Sequence, residues 1–250
     1  MVAKKIGQNF LINTQVAKRE INYADLNKKD IVLEIGPGKG ILTTEIAKKV
    51  KQVVAVEIDT KLVNFLREKV PNNVQIINAD ILKINFELLP KFNKIVANLP
   101  FQISSPLTFK ILDYPFTKAV LIYQKDFAER MIATKGKKYS RLSVGIYYKS
   151  YCKILEFISK NNFFPIPKVD SAIVEIIPRK ESPFLVHDEQ YFFNLVKKLF
   201  NHRRKKIKKI LDINIEKYPN IQNLYRRVEE LSPVQIGQLS NSLYEIDFEL

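Results

Sequence analysis

From residue 31 onward, short continuous apolar runs alternate with segments whose apolar residues return every three or four positions. The runs "IVLEIG", "QVVAVEID", "VQIINAD", "KIVANLP" and "KAVLIYQ" are short and rich in β-branched residues, and they predict buried strands. "ILTTEIAKKV" and the amphipathic "KLVNFLREKV" predict helices, as does "PLTFKILDY" between the last two runs. Alternation of this length implies right-handed crossovers and a parallel sheet with helices on both faces. After a helical stretch near 141–150 come "CKILEFISK" and "SAIVEIIPR", separated only by "NNFFPIPKVD". That spacer is too short for a helical crossover, so the two runs pair antiparallel and complete a seven-stranded α/β sheet.

Beyond Pro178 the pattern changes. "RKESPF" reads as a linker, and helical segments follow. "YFFNLVKKLF" places Tyr191, Phe192, Leu195, Val196 and Leu199 on one helical face. "SPVQIGQLSNSLY" offers Ser232 as an N-cap and Pro233 at the first helical position. The expected division is a larger domain over 1–180 and a small helical domain over 183–250.

Composition narrows the function. A chain with 46% hydrophobic residues can bury a core. Cys152 stands alone, which excludes a disulfide framework and fits a small buried hydrophobe. With His187 and His202 the only histidines, no spacing suits a zinc or iron site, and no metal is expected. No run of roughly 18 apolar residues would span a membrane, and "MVAKKIGQNFLINTQ" lacks the apolar core of a signal peptide. A cytoplasmic protein with no membrane partner is expected. Lys and Arg number 41 against 26 acids, a net charge of +15 that points to a polyanionic partner such as nucleic acid.

The candidate chemistry lies at strand ends. "LEIGPGKG" places Gly36, Gly38 and Gly40 between a strand and a helix, where glycines let the backbone turn tightly and approach a ligand. The last glycine comes one residue early for a dinucleotide fingerprint, and no Ser or Thr follows the lysine as a Walker A loop requires. By itself such a turn can be purely structural. Glu57 ends the second strand, where a carboxylate can accept both hydroxyls of a ribose. Asp80 ends the third, where it could accept from an adenine amino group. Together they outline a nucleoside pocket at one edge of the sheet. The fourth strand ends in Asn98-Leu99-Pro100-Phe101. An adenine amino nitrogen is a poor nucleophile because its lone pair is delocalised into the ring. Asn98 Oδ1 and the Leu99 carbonyl could accept its two hydrogens and localise that pair; Pro100 stiffens the turn and Phe101 offers a stacking face.

These motifs, in this order, resemble a known family. "GQNFL", "EIGPGKG", "VEID", "NADIL", "NLPFQISSP", "QKDFAERM" and "FFPIPKVDS" are similar to the small-subunit ribosomal RNA adenine N6,N6-dimethyltransferases (KsgA type). The resemblance runs to about Pro178. It implies a Rossmann-like class I methyltransferase sheet and S-adenosyl-L-methionine as cofactor. It further implies dimethylation of adjacent adenosines in the 3′-terminal hairpin of small-subunit RNA, with a role in ribosome biogenesis. Residues matching Gln8, Asn9 and Leu11 help close the family's cofactor site, and positions matching Gly36, Glu57, Asp80 and Asn98 bind the cofactor. The family's fourth-strand motif usually ends in Tyr; Phe101 keeps the stacking face and removes the hydroxyl. The implied reaction is a direct displacement in which positioning does most of the work.

Two segments extend the reading toward RNA. Phe163 and Phe164 lie on a proline-stiffened loop near the same sheet edge, where either could wall the base pocket, or both could belong to a packed hairpin loop. "HRRKKIKK" contains Arg203, Arg204, Lys205 and Lys206, either a solvated helix face or, favoured by the net charge, a phosphate-tracking surface. The expected partner is small-subunit ribosomal RNA or an assembling small subunit, bound by a monomer. The alternatives are a large-subunit RNA methyltransferase of the erythromycin-resistance type and a non-catalytic ribosome-assembly or transcription factor on the same fold.

Overall fold

The computed structural model describes residues 9–212 and 221–248. The chain forms two compact units. The first holds the described residues up to Ala128 together with Tyr151–Pro178; the second holds Glu129–Ser150 and the described residues from Arg179 onward.

In the first unit the elements run β1 (Phe10–Leu11), α1 (Thr14–Tyr23), β2 (Ile31–Ile35), α2 (Ile41–Ala47), β3 (Gln52–Glu57), α3 (Thr60–Arg67), β4 (Val74–Asn78), β5 (Lys94–Asn98), α4 (Ser104–Leu112) and β6 (Lys118–Gln124). The chain leaves this unit within α5 (Lys125–Ile132), forms α6 (Arg141–Lys149) in the second unit, and returns for β7 (Ser150–Ile158), β8 (Phe163–Phe164) and β9 (Ser171–Pro178). The seven-stranded sheet has the order β4-β3-β2-β5-β6-β9-β7, with β9 antiparallel to β6 and inserted between it and β7. The other pairs, β4 to β3, β3 to β2, β2 to β5 and β5 to β6, are parallel. This is the expected α/β architecture of a class I methyltransferase, terminal hairpin included.

The central strands read as near-continuous apolar runs because helices cover both faces. Val32, Val53, Val96 and Val120 are all fully or nearly fully buried. Polar residues fix the helix starts. Asn13 Oδ1 accepts the Gln15 N–H (2.8 Å) at α1, and Asp59 Oδ1 accepts the Lys61 N–H (2.8 Å) at α3. Between β2 and β5 the chain order reverses direction across the sheet. That switch point opens a crevice at the carboxyl ends of the strands. A two-stranded ribbon not foreseen from sequence, β1 with β8, pairs Phe10 with Phe164 and Leu11 with Phe163.

The second unit contains α6, α7 (Glu189–Asn201), α8 (Ile207–Leu211) and α9 (Pro233–Phe248). The chain does not divide by a single cut near 180, because residues 129–150 pack with this unit. Tyr139, Val144 and Tyr148 share one apolar core with Phe192, Leu195 and Leu199. The segment "RKESPF" is seated rather than free: Phe184 packs 5.2 Å from Tyr148, and its ring occupies the space a side chain at Gly237 would need. Ser232 caps α9 as expected, its Oγ accepting the Gln235 N–H at 3.3 Å. Among the described residues no helix is long and apolar enough to cross a membrane.

Candidate active site

The crevice at the carboxyl edge is a cleft of about 220 Å³ lined by the ends of β2, β3, β4 and β5 and by the β1 segment. Gly36, Gly38 and Gly40 all take left-handed backbone angles, φ +67°, +57° and +84°, which a Cβ penalises. At Gly38 a Cβ would also lie 2.9 Å from the Phe10 ring. The turn is fastened to β3: Gly36 N–H donates to the Val56 carbonyl (2.9 Å) and Gly38 N–H to Glu57 Oε2 (3.2 Å). Glu57 is nearly fully buried, and its Oε1 accepts the Asp59 N–H at 2.9 Å. A carboxylate offers about four lone-pair sites, so each oxygen keeps acceptor capacity.

Asp80 follows β4, and its Oδ1 accepts the Leu82 N–H at 3.0 Å. The loop behind it is gathered by Lys110, whose ammonium donates to the carbonyls of Ile81 (2.9 Å), Leu82 (3.0 Å) and Ile84. Burial lowers the Lys110 pKa, and the Asp80 charge opposes that shift.

Asn98 ends β5 and lines the cleft. Its Nδ2 donates to the Asn9 carbonyl at 3.1 Å, across 89 residues of sequence. Because a carbonyl can only accept, this bond fixes which way the amide faces. Oδ1 is buried and has no hydrogen-bond partner among the described residues. Leu99 is buried, Pro100 follows at φ −60°, and Phe101 opens a short 3₁₀ turn on the cleft wall. A Cβ at Gly36 would lie 3.7 Å from the Pro100 ring, so the first and fourth loops are neighbours.

Glu34 lines the same cleft and is almost fully buried; burial pushes its carboxyl up to about 8, and the Glu57 charge adds to the shift. Behind it, on α1, Glu20 is fully buried with neither carboxyl oxygen partnered among the described residues. Burial, and then the neighbouring Glu34, hold Glu20 well above the usual carboxylate range.

The cleft therefore brings together Asn9, Leu11, Gly36, Gly38, Glu57, Asp80, Asn98, Leu99, Pro100 and Phe101. Gly40 lies just beyond, as the N-cap of α2. Gln8 lies outside the described residues. Phe163 needs correction as a base-pocket wall: it is 0% exposed, inside the core of the first unit, whereas Phe164 is 62% exposed. Adjacent strand residues face opposite ways, and here the first of the pair faces in. The four named cations of the basic run likewise lie on no helix face. Arg203, Arg204 and Lys205 occupy the turn between α7 and α8, with Lys206 the N-cap of α8. Arg203 is committed internally, to Glu229 (3.5 Å) and the Lys137 carbonyl (3.0 Å). Sequence reasoning missed Phe10, whose ring meets Gly38 and lies 5.6 Å from Lys39 Nζ, and Ile58, 49% exposed on the cleft wall. The aromatic in "GQNFL" and an apolar residue directly after Glu57 were the available signals.

Residues 2–247 match the family model described as ribosomal RNA adenine dimethylase. The chain belongs to that family. It is a family of enzymes whose cofactor is S-adenosyl-L-methionine and whose reaction is adenine dimethylation in ribosomal RNA. Among curated relatives, the dimethylase chain is 45% identical to the probable ribosomal RNA small subunit methyltransferase A of Methanococcus aeolicus, over 97% of both chains. It is 42% identical to the protein of the same name from Thermococcus onnurineus, over 94% of this chain and 89% of that one. Among solved structures, a dimethyladenosine transferase from Plasmodium falciparum superposes with a TM-score of 0.81 at 28% identity, covering 96% of this chain and 98% of that one. The 23S rRNA methyltransferase ErmE superposes with a TM-score of 0.75 at 28% identity, covering 94% and 100%.

Proposed function

We propose that this dimethylase converts two adjacent adenosines in the 3′-terminal hairpin of small-subunit ribosomal RNA to N6,N6-dimethyladenosine, with the cleft at the carboxyl edge as the site of reaction. Asn98 carries the reading. A buried amide oxygen without a partner costs about 1–3 kcal/mol unless something donates to it. An adenine amino group is such a donor.

The cleft suits the family's cofactor on its own features. The glycine turn brings backbone without side chains to the cleft wall, and Glu57 retains acceptor capacity for a pair of ribose hydroxyls. Asp80 accepts from the adenine amino group and Ile58 gives apolar surface to the flat ring, while Asn9 and Leu11 close the cleft from the β1 side. When bound there, S-adenosyl-L-methionine supplies an electrophilic methyl group. Asn98 Oδ1 and the Leu99 carbonyl accept the two amino hydrogens of the target adenine and hold its lone pair out of conjugation. Phe101 stacks on the unstacked base, and Phe164 offers a second exposed ring. No residue here needs to act as a strong base, since the methylated nitrogen is acidic enough to lose its proton to water.

The small-subunit assignment rests on the names of the relatives, and mapping tests it. Labelled S-adenosyl-L-methionine is incubated with undermethylated small subunits, and the methylated nucleotides are located. Label in large-subunit RNA instead would transfer the enzyme to the reaction of the ErmE-like neighbour.

Glu57→Ala is expected to weaken cofactor binding at least about tenfold, through loss of hydrogen bonds to a charged acceptor. Calorimetry with S-adenosyl-L-methionine checks this; unchanged affinity would remove Glu57 from the cofactor site. In the second unit, Arg204→Ala with Lys205→Ala is expected to weaken binding to small-subunit particles and to reduce the salt slope by about one for each phosphate no longer neutralised. Arg203 is spared because its ion pair with Glu229 is structural. An unaltered slope would make the turn merely solvated.

A further inference from the structure

In the second unit, Asn223 takes a left-handed conformation, φ +69°, which asparagine tolerates better than most residues. The Arg226 N–H closes a turn on the Asn223 carbonyl at 3.0 Å. Leu224 is driven inward and buried, and Tyr225 is left 58% exposed at the tip of the turn. Two backbone bonds join this turn to α8: Ile207 N–H to the Arg226 carbonyl (2.9 Å) and Lys208 N–H to the Leu224 carbonyl (2.8 Å). Ile207 and Leu224 are both core residues, so the position of Tyr225 is set from below on each side. Lys208 Nζ lies 4.2 Å from the centre of the Tyr225 ring.

Further cations lie on the segments that carry Tyr225 and Lys208. Lys206 and Arg227 face one another across a bridge that brings "HRRKK" beside "YRR". Arg204, Lys205 and Arg227 are exposed. The nearby acids are engaged: Glu229 faces Arg203, and Glu230 faces Arg226 at 3.9 Å while accepting the Arg227 N–H at 3.1 Å. The basic turn and the tyrosine turn thus form one surface, in which an amphipathic tip lies among positive charges.

We propose that Tyr225, with Lys208 against its ring, is a stacking subsite for an unpaired RNA base, and that Arg204, Lys205 and Arg227 hold the phosphates on either side. This rests on the RNA substrate proposed above and adds a second point of attachment. An exposed ring accepts any base, because every base has a π face, and cations beside it track the backbone. Inside a duplex both faces of every base are already stacked, so such a ring is offered only the two end pairs. A membrane surface is the poorer occupant, since it calls for an extended apolar helix face and α8 has only five residues.

The test compares the full-length protein and two variants on a short single-stranded oligoadenylate, on a long blunt RNA duplex and on phosphatidylserine vesicles. Tyr225→Ala is expected to bind the single strand at least about fivefold more weakly, with the duplex unchanged. Tyr225→Phe keeps the ring and should bind as the parent does. The salt slope should not move in either variant, because no cation is removed. Parental affinity of Tyr225→Ala for the single strand would overturn the proposal, as would equal weakening on both RNAs. Weakening confined to phosphatidylserine vesicles would overturn it too, in favour of a lipid surface. Methyl transfer by the parent protein is read separately. If it fails while the Tyr225 effect holds, the catalytic reading falls and this subsite stands.

Discussion

Asn98→Ala is expected to slow methyl transfer by about 10²–10³-fold, comparable to removing one preorganised polar group at a reacting centre. The variant leaves the Leu99 carbonyl as sole acceptor and lets the amine lie flat in conjugation with its ring. It also frees the Asn9 carbonyl that Asn98 Nδ2 now engages at 3.1 Å. Asn98→Asp keeps an acceptor oxygen but cannot donate to that carbonyl, and so separates the two effects. The measurement is single-turnover transfer to small-subunit RNA at saturating cofactor, with mono- and dimethyladenosine resolved. Cofactor affinity is measured alongside, to show that the deficit lies in the transfer step. A rate near that of the parent would leave the orphaned oxygen without a role and favour a binding factor over an enzyme.

Glu20→Leu is expected to stabilise the protein, and more so at pH 8 than at pH 5. Glu20 is fully buried without a hydrogen-bond partner among the described residues, and burial beside Glu34 raises its pKa. The sign follows from the raised value. As pH climbs past the ordinary glutamate range, the unfolded chain ionises at this position while the folded chain stays protonated. Stability is therefore lost from about pH 4.5 upward, where an unperturbed glutamate titrates, until the folded group itself ionises. A leucine of similar volume removes that dependence and the unpaired acceptors together, for a gain of about 1–3 kcal/mol. Chemical denaturation at the two pH values measures it. A difference that does not vary with pH would mean that Glu20 is ionised in the fold. Glu34, held at about 8 and lining the cleft, should keep its own window of pH dependence in the variant.

Much of this site was legible because its residue types are scarce at such places. A glycine turn, two acids and "NLPF" at successive strand ends have few purposes in common, and the sheet order delivers them to one edge. What escaped notice depends on partners distant in sequence. Nothing near Asn98 indicates that Asn9 will fix its amide, or that Arg203 will be consumed by Glu229. Phe163 and Phe164 carry the same side chain, and only the pairing with β1 decides which one is core. The apolar stripe on α6 is equally ready to cover a sheet or another helix. Val144 and Tyr148 join the core of Phe192 and Leu195 instead, which moves the domain boundary.

The discontinuity of the second unit sets an order on biosynthesis. The chain passes out of the first unit after Ala128, returns at Tyr151 and leaves again after Pro178. On the ribosome, residues 129–150 emerge before any of the helices that will bury Tyr139, Val144 and Tyr148. The sheet meanwhile closes only when β9 arrives to lie against β6, so the methyl-transfer half is complete while the helical half still waits for its later segments. A gene cut at Pro178 would freeze the chain at that stage, with the apolar side chains of residues 129–150 left without their partners. Exchange of the helical unit between relatives therefore has to carry two separate stretches of coding sequence rather than one.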